Sequence, residues 1–425
     1  MTSPALIIAA PHSGSGKTLV TLGLIRALRN AGHNVASAKV GPDYIDPQFH
    51  SAASGHPCVN IDPWAMGTSA CATLLQNQAD ITIIEGVMGL FDGPDGARGS
   101  TADLAADLNI PVMLVVDCAH QAQSVAALVS GFKNHRPDVQ IAGLFLNRIK
   151  SDRHAAILHS SLAETKIPIL GQLRQNDSFH MPSRHLGLVQ ALENQQLEAF
   201  LETVAAGVAR ETKLDKLIEI TAHPSNQVES ATLPLPPLAQ SIAIARDEAF
   251  AFAYPHMLDG WRNAGAELTF FSPLNNEAPA KAEAIFLPGG YPELHAGTLA
   301  ANQIFMNGIR SFRGLVYGEC GGYMTLGDGL IDAQGHRHAM AGLLPLETSF
   351  ATRKLHLGYR QLTSRTTHFP TNLRGHEFHY ATITSEGNAD RLFDATTANG
   401  TTLPSMGLRR GNIMGSFAHI ISVAP

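Results

Sequence analysis

The chain has 425 residues, of which 44% are hydrophobic and 16% charged, and a polypeptide of this length usually forms two domains. Its 30 Lys and Arg residues against 36 Asp and Glu residues give a net charge of −6. That balance offers no broad cationic surface for the phosphate backbone of a nucleic acid. We therefore expect a globular protein of two domains with no nucleic-acid partner.

The N-terminus and the cysteines indicate where the protein works. Met1 is followed by an apolar stretch of about six residues without a basic segment, and no later apolar run approaches the ~18 residues that span a bilayer. The four cysteines include no C-x-x-C pair and are too few for a disulfide framework. We expect neither export nor membrane insertion, and a reducing cytoplasm as the location.

Short apolar strands alternate with helical patterns in both halves of the chain. In the first half, strands are predicted at 5–10, 34–40, 81–86, 112–117, 141–147 and 168–173, with a first helix over 18–28 and a polar helical segment around 193–220. In the second half, strands are predicted at 241–245, 267–271, 284–290 and 314–320. Continuous apolar strands separated by helices are typical of a parallel sheet covered on both faces. The predicted fold is α/β, with domains at 1–221 and 241–425 joined by a linker at 222–240 that is rich in Pro, Ser and Asn.

A glycine-rich sequence, PHSGSGKT, follows the first strand directly and leads into the first helix. In a P-loop of this kind backbone amides close on phosphate oxygens, the lysine reaches the β- and γ-phosphates, and the threonine binds Mg²⁺. The full pattern has a glycine where this chain has Pro11, but the G-K-T core is intact. The candidate nucleotide-binding residues are Ser13, Gly14, Ser15, Gly16, Lys17 and Thr18. The alternative is a chance glycine-rich turn.

Two acidic loops follow apolar strands, at the edge of a parallel sheet where ligands gather. KVGPDYIDP carries Lys39, Asp43 and Asp46, and EGVMGLFDG carries Glu85 and Asp92. Phosphoryl transfer needs carboxylates for Mg²⁺ near the γ-phosphate and a cation that neutralises developing charge. We predict Asp43 and Glu85 as Mg²⁺ ligands, beside Thr18, and Lys39 as the cation. The alternative is that each acid caps a turn.

Asn147 ends the strand predicted at 141–147. Its amide could hydrogen-bond the edge of a purine, although an asparagine after a strand is also an ordinary turn residue.

A cysteine lies on a predicted sharp turn in the second half. In GLVYGECGGYM, the residues Gly318, Cys320 and Gly322 form G-x-C-x-G between a strand and a helix, the thiol counterpart of a nucleophile elbow. We expect the helix that follows to lower the pKa of the thiol and favour the thiolate. The alternative, a buried structural cysteine, fits the other three cysteines better.

A thiol nucleophile needs a base and an oxyanion site. His419 follows a predicted strand near the C-terminus and is the candidate base. The turn LPGGYPE contains Gly289 and Gly290, whose amides, with that of Gly321, are candidates for binding a tetrahedral oxyanion. The sequence HEFH at 376–379 lacks the H-E-x-x-H spacing of a zinc helix, so no metal site is predicted there.

Taken together in chain order, PHSGSGKT, KVGPDYIDP, EGVMGLFDG, LPGGYPE, GECGGYM, RGHEFHY and GSFAH resemble the glutamine-dependent a,c-diamide synthases of vitamin B12 biosynthesis. The resemblance covers essentially the whole chain. It implies a P-loop domain like that of dethiobiotin synthetase, followed by an α/β class I glutamine amidotransferase domain of the cobyrinate type. The sequences APHSGSGKT and GPDYIDPQFHSAASGHPCVNIDPWAM resemble most the enzymes of the aerobic pathway, whose substrate is metal-free hydrogenobyrinic acid.

The resemblance also implies roles for individual residues. Cys320 corresponds to the nucleophile and His419 to the histidine that activates it, while Asp46 corresponds to a residue near the carboxylate being activated. Lys17, Thr18, Asp43, Glu85 and Asn147 correspond to the family's ATP and Mg²⁺ residues. A polycarboxylate substrate also needs cationic contacts, for which Arg184 and His185 are candidates. Many triad amidotransferases have Pro-Glu after the histidine, but Ile420 and Ile421 stand here, so the third member of the triad is missing or comes from elsewhere.

The reaction implied is ATP-dependent amidation of the a and c carboxylates with ammonia from glutamine, through acyl phosphates. The alternatives are a cobyrinic acid a,c-diamide synthase, a cobyric acid synthase, and a P-loop regulatory ATPase of the partition type. The expected partners are therefore small molecules, namely hydrogenobyrinate or cobyrinate, glutamine and Mg·ATP; a homodimer stays open.

Overall fold

The computed structural model describes residues 3–179, 196–225 and 235–425, together with the backbone of 183–184 and 187–188. The chain divides into two compact units, Met1–Thr232 and Leu233–Pro425. Within the described residues, no helix combines the length and the apolar character needed to cross a membrane.

The first unit is built on a seven-stranded sheet in the order β3-β2-β4-β1-β5-β6-β7, with every neighbouring pair parallel. Its strands are β1 (Ala5–Ala9), β2 (Val35–Val40), β3 (Val59–Ile61), β4 (Ile81–Glu85), β5 (Val112–Asp117), β6 (Ile141–Ile149) and β7 (Ile169–Arg174), followed by a two-stranded pair, β8 (Ser183–Arg184) and β9 (Gly187–Leu188). Its helices are α1 (Lys17–Asn30), α2 (Asp46–Ser54), α3 (Pro63–Leu74), α4 (Thr101–Leu108), α5 (Val125–His135), α6 (Asp152–Leu162), α7 (Leu197–Arg210) and α8 (Leu214–Glu219).

The predicted parallel sheet is confirmed, because all six apolar runs of the first half form strands of it. Strands β1 and β4 are buried at all five positions, as a sheet covered on both faces requires. The short strand β3 was not predicted. It has only three residues and lies at the edge of the sheet, where a hydrophobic pattern is weakest.

Register within this sheet brings two functional side chains together. Lys39 on β2 pairs directly with Glu85 on β4, and Glu85 in turn pairs with Ile8 on β1, just before the glycine-rich loop. The carboxyl ends of three adjacent parallel strands therefore meet at the start of α1.

The first residues of the predicted linker are hydrogen-bonded to the first unit. Ala222 forms an antiparallel bridge to Ala5, with N···O distances of 2.8 and 3.2 Å, and Ser225 donates to the carbonyl oxygen of Leu108. Residues 226–234 of the predicted linker lie outside the described residues.

The second unit contains a ten-stranded sheet in the order β11-β10-β12-β13-β22-β21-β20-β17-β18-β23 and a four-stranded sheet in the order β15-β14-β16-β19. The strands are β10 (Ser241–Ala245), β11 (Glu267–Phe271), β12 (Ala284–Leu287), β13 (Leu315–Glu319), β14 (Gly329–Ile331), β15 (Arg337–Ala339), β16 (Leu346–Ser349), β17 (His356–Ser364), β18 (Asn372–His379), β19 (Thr382–Glu386), β20 (Asp390–Thr397), β21 (Thr402–Arg410), β22 (Ile413–Ser416) and β23 (Ala418–Val423). The helices are α9 (Pro255–Asn263), α10 (Ala296–Ala301), α11 (Gln303–Ser311) and α12 (Gly321–Leu326).

All four strands predicted in the second half are present, and they form the parallel part of the large sheet together with β22. The antiparallel continuation from β21 to β23 was not predicted, apart from a strand before His419. Strands such as β17 and β21 are only half buried, so their side chains do not form the continuous apolar runs by which the parallel strands were recognised.

Candidate active sites

The glycine-rich loop between β1 and α1 is shaped by two left-handed glycines and by a distant asparagine. Gly14 and Gly16 have φ values of +84° and +83°. A Cβ atom on Gly16 would lie 2.1 Å from Nδ2 of Asn147, which donates a hydrogen bond to the carbonyl oxygen of Ser15 at 2.9 Å. Asn147 is buried, and its hydrogen bond to Ser15 holds the loop against the end of β6. Its predicted contact with a purine remains a prediction.

Lysine 39 is the centre of a buried charge cluster beside this loop. Its Nζ donates to Oδ2 of Asp46 at 2.6 Å and to Oε1 of Glu85 at 3.0 Å, and it lies 3.7 Å from Oδ2 of Asp43. Burial alone would lower the pKa of Lys39, but Asp46, Glu85 and Asp43 outweigh it and raise this pKa well above its ordinary value. Lys39 therefore stays charged.

The lysine and the threonine of the G-K-T core point into the same cluster. Thr18 donates from Oγ1 to Oε1 of Glu85 at 2.7 Å, and the same hydroxyl lies 3.3 Å from Oδ2 of Asp46. Lys17 Nζ lies 3.8 Å from Oε1 of Glu85. Burial and the nearby Lys39 lower the pKa of Lys17. The structure thus brings together the predicted residues Lys17, Thr18, Lys39, Asp46 and Glu85.

Two of the carboxylates in the cluster have pKa values shifted in opposite directions. Burial and the neighbouring Asp43 raise the pKa of Asp46 to about 6. Burial also acts to raise the pKa of Glu85, but Lys39 and His50 reverse this and hold that pKa below its ordinary range. Glu85 is therefore a fixed anion.

His50 belongs to this cluster although the sequence analysis did not identify it. Its Nε2 lies 2.6 Å from Oε2 of Glu85, and its Nδ1 lies 3.6 Å from Sγ of Cys58. Burial would lower the pKa of His50, but the contacts with Cys58 and Glu85 raise it to about 10. A signal existed: His50 follows Asp46 by one helical turn on α2, so both face the same side.

The cluster contains hard oxygen atoms of the kind that bind Mg²⁺, and two of them also accept hydrogen bonds from Lys39. Thr18 Oγ1 lies 2.7 Å from Oε1 of Glu85 and 3.3 Å from Oδ2 of Asp46, so both carboxylates are close to this hydroxyl. Asp43 contributes less directly, because its Oδ1 accepts from the backbone amides of Ile45 and Asp46 and so performs the turn-capping role that the sequence left open.

Six further residues of the first half were also singled out from the sequence. Ser13 and Gly14 are exposed at the tip of the glycine-rich loop, whereas Ser15 is buried and donates from Oγ to the carbonyl oxygen of His12. Asp92 caps its turn by accepting from the amide of Gly89 at 2.8 Å. His185 and the side chain of Arg184 lie outside the described residues.

In the second unit, Cys320 lies on a strained turn between β13 and α12. Its φ and ψ values are 45° and −99°, and its amide donates to the carbonyl oxygen of Ser416 at 2.8 Å. A Cβ atom on Gly318 would lie 2.7 Å from the backbone of Gly322, so the turn needs glycine at its first position. This is the predicted elbow geometry.

The expected lowering of the cysteine pKa is wrong. Burial, followed by the negative charge of Glu293, raises the pKa of the Cys320 thiol, and the hydrogen bond from the amide of Gly321 opposes this only in part. Helix α12 has just six residues, and the side chain is only 4% exposed, so loss of hydration outweighs the dipole of so short a helix. The thiol at rest is protonated.

The predicted base and the predicted oxyanion glycines lie around one turn after β12. A Cβ atom on Gly289 would lie 2.3 Å from Cε1 of His419, and one on Gly321 would lie 3.0 Å from the backbone nitrogen of Gly290. The amide of Gly321 points to the sulfur of Cys320. His419, on β23, is 2% exposed. Its Nδ1 lies 3.5 Å from Oε2 of Glu319, a residue that the sequence analysis did not identify.

The HEFH segment forms an ion-pair network on β18. The ligand atoms of His356, Glu377 and His379 lie within 4.8 Å of one another. Glu377, however, pairs with Arg360 at 2.7 Å and with Nε2 of His379 at 2.9 Å, and Nδ1 of His379 contacts the carbonyl oxygen of Ala381. Both carboxylate oxygens of Glu377 and both ring nitrogens of His379 are therefore already engaged, and the positive charge of Arg360 would repel a cation.

Comparisons with known proteins identify the families to which the two halves of the chain are similar. The CobQ/CobB/MinD/ParA nucleotide binding domain family matches residues 6–189, and the CobB/CobQ-like glutamine amidotransferase domain family matches residues 241–424. A hydrogenobyrinate a,c-diamide synthase from Sinorhizobium sp is 52% identical over 99% of each chain. Those of Brucella anthropi and Rhizobium meliloti are each 53% identical over 98% of each chain.

These matches confirm the α/β fold predicted for each half and the predicted class of enzyme. The chain is a glutamine-dependent, amide-forming ligase with a nucleotide-binding domain and an amidotransferase domain. With relatives more than half identical over nearly its full length, the chain belongs to the hydrogenobyrinate a,c-diamide synthase family of cobalamin biosynthesis.

Proposed function

We propose that this protein amidates the a and c side-chain carboxylates of hydrogenobyrinic acid, using ammonia released from glutamine and an acyl phosphate made from ATP. The observation that carries the choice of substrate is the full-length similarity to hydrogenobyrinate a,c-diamide synthases. The geometry of the two clusters supports a division of labour, with activation of the carboxylate in the first unit and release of ammonia in the second.

Release of ammonia begins at Cys320. Since burial keeps its thiol protonated, a base must take the proton as the sulfur attacks the side-chain carbonyl carbon of glutamine. His419 takes that proton and gives it to the departing nitrogen, so ammonia leaves and a thioester remains. Water then cleaves the thioester, which yields glutamate and restores the thiol. The amides of Gly289, Gly290 and Gly321 stabilise the oxyanion of each tetrahedral intermediate.

Activation of the substrate takes place at the charge cluster of the first unit. A carboxylate oxygen of the macrocycle attacks the γ-phosphorus of ATP, the bond to the β-phosphate oxygen breaks, and an acyl phosphate and ADP form. Ammonia attacks the acyl carbon and phosphate leaves. The nitrogen gives one proton to the departing phosphate, and the amide remains. Two such cycles consume two glutamine and two ATP molecules.

The side chains of the first unit hold these reactants by charge and position. The loop amides from Ser13 to Thr18 surround the phosphates, while Lys17 and Lys39 neutralise charge that builds up on the γ-phosphate. Asp46 is proposed to lie next to the carboxylate being activated. Asn147 is the proposed contact of the purine, although its amide nitrogen donates to the carbonyl oxygen of Ser15 in this structure.

Thr18 and Glu85 would hold Mg²⁺, with Asp43 as the third predicted ligand although its Oδ1 also caps a turn. When bound, the ion offsets the negative charge of the phosphate oxygens. Outside the described side chains, Arg184 and His185 are proposed contacts for the carboxylates of the macrocycle.

One incubation tests this proposal. Purified protein is given glutamine, Mg·ATP and either hydrogenobyrinate or cobyrinate, and the product is measured by mass spectrometry. We expect two OH groups to be replaced by two NH₂ groups, with hydrogenobyrinate used in preference. Preference for cobyrinate would favour a cobyrinic acid a,c-diamide synthase, and amidation of a preformed a,c-diamide would favour a cobyric acid synthase.

A regulatory ATPase of the partition type, the last alternative, would account only for the match of the first unit, since the second unit matches an amidotransferase family. It would leave the cysteine elbow of the second unit without a use. A glutaminase assay separates the two functions, because a regulatory ATPase would not hydrolyse glutamine.

A further inference from the structure

The histidine of the thiol site has a carboxylate neighbour that comes from an unexpected place in the chain. Oε2 of Glu319 lies 3.5 Å from Nδ1 of His419, and the two residues are 1% and 2% exposed. Glu319 is the last residue of β13 and immediately precedes Cys320. The positions after His419, where many triad amidotransferases carry their acid, are occupied by Ile420 and Ile421.

The carboxylate of Glu319 is held in place by its other oxygen. Oε1 accepts hydrogen bonds from the hydroxyl of Tyr317 at 3.0 Å and from the amide of Ile420 at 3.1 Å. Both donors are neutral, and one of them is the residue directly after His419. A buried carboxylate is costly unless a positive group compensates it, and Oε2 faces an imidazole that becomes positive when it takes the thiol proton.

We propose that Glu319 is the positioning residue of His419 and replaces the missing third member of the triad. Its carboxylate accepts the hydrogen of Nδ1, which leaves the lone pair of Nε2 free to take the proton of Cys320, and it stabilises the imidazolium that results. The separation of 3.5 Å is longer than an ordinary hydrogen bond, and catalytic contacts of this kind tighten as the reaction proceeds. This inference rests on the proposed function, because it assumes that His419 is the base of a glutaminase.

The placement has a physical logic. The strained turn fixes Cys320 relative to β13, so an acid at the residue before it moves with the nucleophile. The bond from Ile420 ties the same acid to β23, the strand that carries the base. One carboxylate thereby connects the elbow and the base, although β13 and β23 are not neighbours in the sheet.

The test compares Glu319→Gln, Glu319→Asp and Cys320→Ser with the unchanged full chain. Glu319→Gln keeps an oxygen for Tyr317 and Ile420 but removes the charge. We expect the glutaminase kcat to fall at least about tenfold while the KM for glutamine changes less than about threefold, since the lost interaction forms fully only in the transition state. Glu319→Asp should recover part of the rate. Synthesis with added ammonium should stay unchanged in all three variants.

Two further measurements separate positioning from a structural role. The Nδ1 proton of His419 should give a far-downfield NMR signal in the unchanged protein, and that signal should move upfield in Glu319→Gln. Glu267→Gln, the same change at an exposed position of β11, is the matched control and should leave kcat and the signal unchanged.

The outcomes distinguish the two claims. If Cys320→Ser abolishes glutaminase activity while Glu319→Gln keeps kcat within about threefold and leaves the NMR signal in place, the role of Glu319 is refuted and the proposed function stands. If Cys320→Ser itself keeps glutaminase activity, the proposed function fails first. Loss of kcat in Glu319→Gln with rescue by Glu319→Asp supports the inference.

Discussion

The backbone of Gly289 lies directly against the imidazole ring of His419, so closely that a Cβ atom on the glycine would be 2.3 Å from Cε1 of the ring. Gly289 needs no unusual backbone conformation, since it is not among the residues with positive φ. Its lack of a side chain is therefore a requirement of the histidine and not of the turn.

The first prediction is that Gly289→Ala displaces the His419 ring. Glutaminase kcat should fall at least about tenfold, because a base moved by 1 Å loses much of its effect, while synthesis with added ammonium continues. Gly297→Ala is the matched control. The added Cβ atom would lie 3.6 Å from the His338 ring, an ordinary contact, so its kinetics should match those of the unchanged protein. Equal activity of the two variants would contradict the close packing of Gly289 and His419.

Replacement of the nucleophile tests the separation of the two half-reactions. Cys320→Ser should abolish synthesis from glutamine and retain synthesis from ammonium, because the activation of the carboxylate takes place in the other unit. Cys118→Ser makes the same change at another buried, free cysteine and should keep both activities. Full glutamine-dependent synthesis by Cys320→Ser, followed by product mass, would refute the assignment.

Two glycines of the P-loop allow strain and collision to be told apart. Alanine at either Gly14 or Gly16 forces a left-handed conformation that costs about 1 kcal/mol. Only at Gly16 does the new atom collide with Asn147, since nothing lies within 4 Å of the Cβ position on Gly14. We expect Gly16→Ala to weaken ATP binding by calorimetry at least about tenfold more than Gly14→Ala does. Similar losses in the two variants would show that Asn147 does not determine the shape of the loop.

Lys39 should be essential for the stability of the first unit as well as for its chemistry. In Lys39→Met, Asp46 and Glu85 lose the cation they share, and breaking a buried pair of this kind costs about 3–5 kcal/mol in the free energy of unfolding. Lys216→Met is the same substitution in an exposed pair with Glu219 and should leave the free energy of unfolding nearly unchanged. Denaturant unfolding of both variants checks this, and equal stability would contradict the buried network.

A buried histidine predicts acid sensitivity of the second unit. Burial lowers the pKa of His256 to about 4, although Asp259 acts in the opposite direction. Its Nε2 contacts the carbonyl oxygen of Ile421 at 2.9 Å, so an added proton would have to enter at buried Nδ1. In the unfolded chain the histidine takes up a proton below a pH of about 6.5.

Between pH 6.5 and 4 the unfolded state therefore binds more protons than the folded state, and stability falls as the pH is lowered. The full contribution of His256 is about 3 kcal/mol, present above pH 6.5 and lost toward pH 4. Denaturant unfolding at pH 7.5 and 5 should show a smaller loss for His256→Gln than for the unchanged protein. His368→Gln, at an exposed position, should leave the loss as it was. The same pH dependence in all three proteins would contradict the lowered pKa.

How far the sequence could predict the structure depended on whether a residue's role is local. The parallel strands are continuous apolar runs, and the glycine-rich loop and the cysteine elbow are contiguous motifs, so each was predicted from its own segment. The antiparallel strands after residue 355 were largely missed, because half-buried strands carry no such runs. The raised pKa of Cys320 was predicted with the wrong sign, since burial arises from packing by the whole unit and outweighs the dipole of a six-residue helix.

By itself the sequence determined the chemistry that this protein carries: a loop for phosphates, acids and a lysine after two parallel strands, a cysteine between glycines and a histidine near the C-terminus. Only the tertiary structure decided which of the ionisable side chains contact one another. His50 joins Glu85 through α2, and Glu319 meets His419 across strands that are not neighbours, because such contacts depend on distances between segments that no local pattern encodes.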